Sequence, residues 1–111
     1  MLDPQARASV LQVVKELHRQ GVTILWITQL LEEINLADRV VALADGAVSF
    51  EGSPRHFFYG EAGAETPCQR LGFTPPFVIQ TAHQLLERGY ALAPLPLTEE
   101  ELSYAVAARW R

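Results

Sequence analysis

Val22-Thr23-Ile24-Leu25-Trp26-Ile27-Thr28 constrains the possible folds more than any other part of the chain. Apolar, β-branched and aromatic side chains occupy nearly every position, so a strand here needs cover on both faces. A strand of that kind belongs in the middle of a parallel sheet flanked by helices. The sequence on either side supplies parts of that arrangement. Asp3 can accept hydrogen bonds from the free N–H groups of a helix start, and Pro4 fits the first turn because it has no N–H to leave unpaired. Ala6, Val10, Val13, Val14 and Leu17 recur at helical spacing, and Gly21 follows as a stop. A helix is expected over about 4–20, and a central strand over 22–28.

Leu30 to Ala37 reads as a short helical segment. Leu30, Leu31, Ile34 and Leu36 lie largely on one side, with Glu32 and Glu33 on an opposite, solvated face. Strands are expected over 39–44 and 47–51. Asp45-Gly46 between them is a two-residue hairpin turn, because both residues tolerate positive φ. Ser53 caps a further short helix over 55–59. Residues 60–76 are rich in Gly, Pro and small residues and read as a linker or loose crossover. Phe77, Val78, Ala82, Leu85 and Leu86 form one stripe of a following helix, closed by Gly89. Pro94 and Pro96 keep the next link extended. Thr98-Glu99-Glu100-Glu101 is a capping box opening a last helix, with Leu102, Ala105, Val106 and Trp110 on its apolar side. The expected divisions are an α/β part over 1–59, a linker over 60–76 and a helical tail over 77–111.

Composition excludes several classes of function. With 111 residues, 49% of them hydrophobic and 20% charged, the chain is one small folded domain, not a disordered segment. Its net charge is -4, and its eight Arg and one Lys are scattered. That pattern argues against binding of nucleic acid phosphates, which needs clustered cations. No apolar run approaches the roughly 20 residues that cross a bilayer. The first residues carry neither the cationic start nor the apolar stretch of a signal peptide. Cys68 is the only cysteine, so it offers no internal disulfide and no metal-ligand spacing. These features point to the cytoplasm.

Few residues suggest chemistry by themselves. His18, His56 and His83 have no carboxylate or Cys at metal-ligand spacing, so no metal site is expected. Ser9, Ser49, Ser53 and Ser103 lie in no nucleophile elbow. Glu32 and Glu33 are adjacent, about 100° apart on a helix, and so do not converge on one bond. The chain contains no G-x-x-x-x-G-K-[S/T], the loop and lysine that cradle nucleotide phosphates.

A larger pattern emerges from order and spacing. Leu2-Asp3-Pro4, Ile27-Thr28-Gln29, Glu32-Glu33, Ala37-Asp38-Arg39-Val40, Asp45-Gly46 and Phe50-Glu51-Gly52-Ser53-Pro54 follow one another. Together they resemble the C-terminal third of an ABC transporter ATPase, from the D-loop through the switch loop to the final hairpin. Pro75-Pro76 through Leu85, then Gly89 and Leu97-Thr98-Glu99-Glu100-Glu101-Leu102, resemble the helical tail of the energy-coupling-factor members of that family. The resemblance implies the C-terminal part of a P-loop NTPase core followed by a small helical tail. It places the phosphate loop, signature loop and magnesium-supporting strand outside these residues.

The resemblance also implies roles. Leu2, Asp3 and Pro4 match the D-loop at the interface of two ATPase subunits, where Asp3 would couple one nucleotide site to the other. Gln29 takes the switch position, where the family carries a His that binds the γ-phosphate. A Gln amide can donate a hydrogen bond but neither gains nor loses a proton near neutral pH. Gln29 could instead cap the turn that follows it. The implied function is that of an ATP-binding subunit of an importer, coupling ATP binding and hydrolysis to uptake of a small substrate such as a vitamin or metal ion. Its implied cofactors are ATP and Mg2+ in the complete domain, and none for this chain alone, which is expected to be inactive. Its implied partners are a second ATPase subunit, identical or paralogous, and membrane coupling and substrate-binding subunits. Nucleic acid is not among them. The implied location is the inner face of the cell membrane, with no span of its own. The alternative is a non-enzymatic interaction module, paired through Leu85, Leu86, Leu102, Val106 and Trp110.

Overall fold

The computed structural model describes residues 3–61 and 64–109. Helix α1 spans Pro4–Arg19, with Asp3 as its cap: one carboxylate oxygen accepts the Ala6 N–H at 2.7 Å. A 3-10 helix follows at Leu31–Leu36. Strands β1 (Val40–Ala44) and β2 (Ala47–Gly52) form an antiparallel hairpin. Four more helices come next: α2 (Pro54–Tyr59), α3 (Pro67–Arg70), α4 (Phe77–Glu87) and α5 (Glu99–Arg109).

The local signals hold. Asp45 and Gly46 both have positive φ, 53° and 77°, as the two-residue turn requires. Beyond the turn, Leu43 faces Val48 but Ala42 faces Phe50, so Ser49 is an extra residue that bulges β2. Ser53 caps α2 by accepting the His56 N–H at 3.0 Å. The Thr98 hydroxyl accepts the Glu101 N–H at 3.1 Å, and the Glu101 carboxylate reaches back to the Leu97 N–H at 2.9 Å.

The expected central strand does not form. Residues 22–28 form no regular secondary structure, and the sheet among the described residues is the β1–β2 hairpin. Leu25 and Ile27 are each 88% exposed. A strand exists only through its ladder, and no described strand pairs with this segment. Helix α1 shares this fate: it has no buried residue, and Val10, Val13 and Leu17 face water.

The core lies instead between the hairpin and the later helices. Phe57 and Phe58 on α2, Cys68 on α3, Ile79 and Ala82 on α4, Ala105 on α5 and Phe50 on β2 are buried together. Phe57 sits at the centre, 5.3 Å from the rings of both Phe50 and Phe58 and 6.1 Å from Phe73. Tilted and edge-on pairs of this kind add to the burial of each ring. The segment 60–76 is more ordered than its composition suggests. Thr66 and Gln69 form a reciprocal capping box at the start of α3, which buries Cys68.

Polar contacts fasten the chain around α2. The Tyr59 hydroxyl donates to the Pro96 carbonyl, and Arg55 donates to the Leu95 carbonyl at 2.9 Å and to Glu101 at 2.6 Å. On α4 the buried positions are Ile79 and Ala82, whereas Phe77, placed on the stripe by periodicity, is 78% exposed. Trp110, assigned to the apolar side of the last helix, lies outside the described residues.

Candidate functional site

Two elements carry the site expected from sequence: the start of α1 and the bend that follows residues 22–28. Asp3 is exposed, with one carboxylate oxygen engaged by the cap, and Pro4 occupies the first helical position. Leu2, the remaining D-loop position, lies outside the described residues. Gln29 stands exposed on the bend between residues 22–28 and the 3-10 helix. It does not cap that helix. No side chain does; the Thr28 hydroxyl instead accepts the N–H of Leu30, the residue just ahead of the helix, at 2.9 Å.

Glu33 overturns the expectation of a solvated acidic pair. Glu32 is exposed, but Glu33 is buried, only 8% of its surface reaching solvent. A 3-10 helix turns about 120° per residue, which sends the two carboxylates to different sides. One Glu33 oxygen accepts the Thr28 hydroxyl and, at 3.3 Å, the Trp26 indole N–H. The other has no hydrogen-bond partner and faces the Arg7 guanidinium at 3.8 Å. Arg7 lies one helical turn beyond Asp3, and its backbone N–H donates to the Asp3 carbonyl at 2.9 Å. The two expected site elements are therefore joined through Arg7 and Glu33, which sequence reasoning missed. Two donor side chains, Trp26 and Thr28, just ahead of an acidic residue were the available signal.

His18 is likewise paired, with its Nε2 2.9 Å from an Asp38 oxygen at the surface. That pair lines an open groove with Gly21, Val22, Thr23 and Ile24. A nucleoside triphosphate requires converging N–H donors and cations. The groove offers a carboxylate and one imidazole, and Lys15 stands exposed on α1. By themselves these residues do not fit ATP and Mg2+. Among the described residues no group of three His, Cys, Asp or Glu could hold a metal ion. Cys68 is enclosed, its Sγ 3.6 Å from the Phe73 carbonyl, and burial raises its pKa above the ordinary 9.0. Burial raises the Tyr59 hydroxyl as well, with Arg55 opposing and Glu101 adding to the shift.

No protein-family model matches the chain. Similar proteins are nonetheless clear. The energy-coupling factor transporter ATP-binding protein EcfA1 of Symbiobacterium thermophilum is 41% identical over 107 residues, 96% of this chain and 36% of that protein. EcfA1 of Halalkalibacterium halodurans is 39% identical over 111 residues, all of this chain and 37% of that protein. EcfA of Methanosarcina acetivorans is 37% identical over 105 residues, 95% of this chain and 36% of that protein. Over nearly its whole length this chain is homologous to energy-coupling factor transporter ATP-binding proteins. It spans little more than a third of the length of the curated relatives it matches, in their C-terminal region. Its mixture of helices with a hairpin agrees with the α/β class expected for such a segment.

Proposed function

We propose that this chain forms the C-terminal part of an ATP-binding subunit of an energy-coupling-factor importer, with the end of a P-loop NTPase core and a helical tail. The observation that carries this reading is the 37–41% identity that extends over at least 95% of the chain. In this reading the remainder of the ATP-binding domain supplies the phosphate loop and the magnesium ligands. The chain contributes Leu2, Asp3 and Pro4 to the interface with a second ATPase subunit, and Gln29 to the nucleotide's far side. The exposure of Asp3 and Gln29 leaves both side chains free to meet such a partner.

Gln29 offers an amide donor where an imidazole is usual, so its contribution is orientation without a change of charge. The assembly would rest against the inner face of the membrane, through a coupling subunit and a substrate-binding subunit. No helix among the described residues is long and apolar enough to cross a membrane. The transported substrate would be small, of the vitamin or metal-ion kind.

A second reading, a non-enzymatic interaction module, is favoured by one observation: Val10, Val13 and Leu17 of α1, with Val22, Leu25, Trp26 and Ile27, lie open to solvent. The tail side chains first assigned to that role do not serve it as well. Leu85, Leu86, Leu102 and Val106 already pack on the chain's own core.

Titration with a fluorescent ATP analogue and Mg2+ separates the two readings. The chain alone is expected not to bind, whereas mixing it with an intact ATP-binding protein of the family should change that partner's nucleotide affinity. A change in the partner's association without any change in its nucleotide affinity would favour the module. Saturable binding by the chain alone would overturn the assignment of the phosphate site to residues outside it.

A further inference from the structure

Glu33 is a buried carboxylate outside the residues assigned to the proposed nucleotide site. Burying such a group costs several kcal/mol unless hydrogen bonds and a countercharge offset it. Here the bonds form a directed chain. The Leu30 N–H donates to the Thr28 hydroxyl oxygen, whose proton goes to Glu33, and the Trp26 indole N–H donates to the same carboxylate oxygen. Thr28 and Leu30 are the two neighbours of Gln29, so these bonds hold the backbone on both sides of it.

The second oxygen of Glu33 is enclosed and has no hydrogen-bond partner, while Arg7 faces it at 3.8 Å. That distance exceeds a hydrogen bond by about 0.6 Å or more, so a small inward movement of the first turn of α1 would convert the ion pair into a charge-assisted bond. Arg7 in turn is bonded through its backbone to Asp3. A continuous path therefore runs from Asp3 through Arg7 and Glu33 to Thr28 and Leu30.

We propose that Glu33 is a positioning residue: it fixes the bend that presents Gln29 and couples it, through Arg7, to the helix turn begun by Asp3. The structural coupling stands on the contacts alone. Its consequence for nucleotide hydrolysis rests on the roles proposed above for Gln29 and Asp3.

Amide hydrogen exchange on the whole chain, read at Leu30, tests the coupling. Glu33→Ala should speed exchange there about tenfold, the loss of one net hydrogen bond. Arg7→Ala, at a partly exposed position whose removal leaves the core untouched, should speed it about threefold, as a partly screened ion pair predicts. Arg7→Lys should restore most of that loss. The double variant Arg7→Ala/Glu33→Ala should exchange no faster than Glu33→Ala alone, because both act on one path. A merely structural Glu33 would leave Leu30 blind to Arg7. Exchange within about twofold of the unmodified chain in Arg7→Ala, or effects that add in the double variant, would overturn the proposal. The ATP-analogue titration is scored separately: its failure removes the nucleotide role of Gln29 and leaves the exchange result to decide the coupling.

Discussion

Single residues set the chain's response to pH and to loss of a cap. Cys68 and Tyr59 are buried groups whose folded pKa values are raised above 9.0 and 10.0. Each is neutral in both states at lower pH. Above those ordinary values the unfolded chain ionises while the folded chain does not, so folding stability should be level near neutrality and fall as pH rises past about 9. Urea unfolding at successive pH values measures this, and Cys68→Ala together with Tyr59→Phe should flatten the alkaline decline. A decline unchanged by both substitutions would place its cause elsewhere. Glu33 teaches the opposite lesson about legibility. Its type and position suggested solvent, and only the bonds from Trp26 and Thr28 reveal an interior role.

At the scale of elements, most of the devices legible in the sequence are self-contained. Asp3, Ser53 and Thr98 cap the helices they precede, and Asp45-Gly46 turns the hairpin, because each device needs only neighbours in sequence. Replacing Asp3 with Ala should destabilise α1 by about 1 kcal/mol, seen as faster exchange of the Ala6 amide and lower helical circular dichroism. Since α1 buries no residue, the core should stay intact, with Ile79 and Phe57 amides little changed. Loss of protection throughout the molecule would mean that α1 supports the core after all. The capping box of α3 was equally local, yet Thr66-Pro67-Cys68-Gln69 was passed over within a Gly- and Pro-rich stretch. Its signature is a Ser/Thr followed three residues later by Gln, with Pro in the first turn. Composition masked a signal that spacing carried.

For the whole molecule, the decisive property is an uneven distribution of cover. The hairpin and helices α2 to α5 share a core, while α1 and residues 22–27 present Val10, Val13, Leu17, Leu25, Trp26 and Ile27 to water. An exposed apolar segment outside any sheet invites association with another chain. The purified chain should therefore self-associate as concentration rises, measured by sedimentation velocity, and Leu25→Lys with Ile27→Lys should shift it toward monomer. A monodisperse monomer at moderate concentration would sink this expectation. The same lack of cover accompanies the absence of the strand predicted over 22–28. Its side chains favour that conformation, but the hydrogen bonds that define a strand come from elsewhere.

By itself the sequence determined most of the helix starts, the hairpin turn, the mixture of helix and strand and the resemblance to energy-coupling factor ATP-binding proteins, since each depends on residue type and spacing along one chain. Only the tertiary structure decided that Ile79 and Ala82 are enclosed while Phe77 is open, that Cys68 sits in the core, and that Glu33 joins the turn after Asp3 to the bend at Gln29. The reason is physical. Capping and turn formation are settled by bonds within a few residues, whereas burial and ion pairing depend on which distant segments arrive alongside.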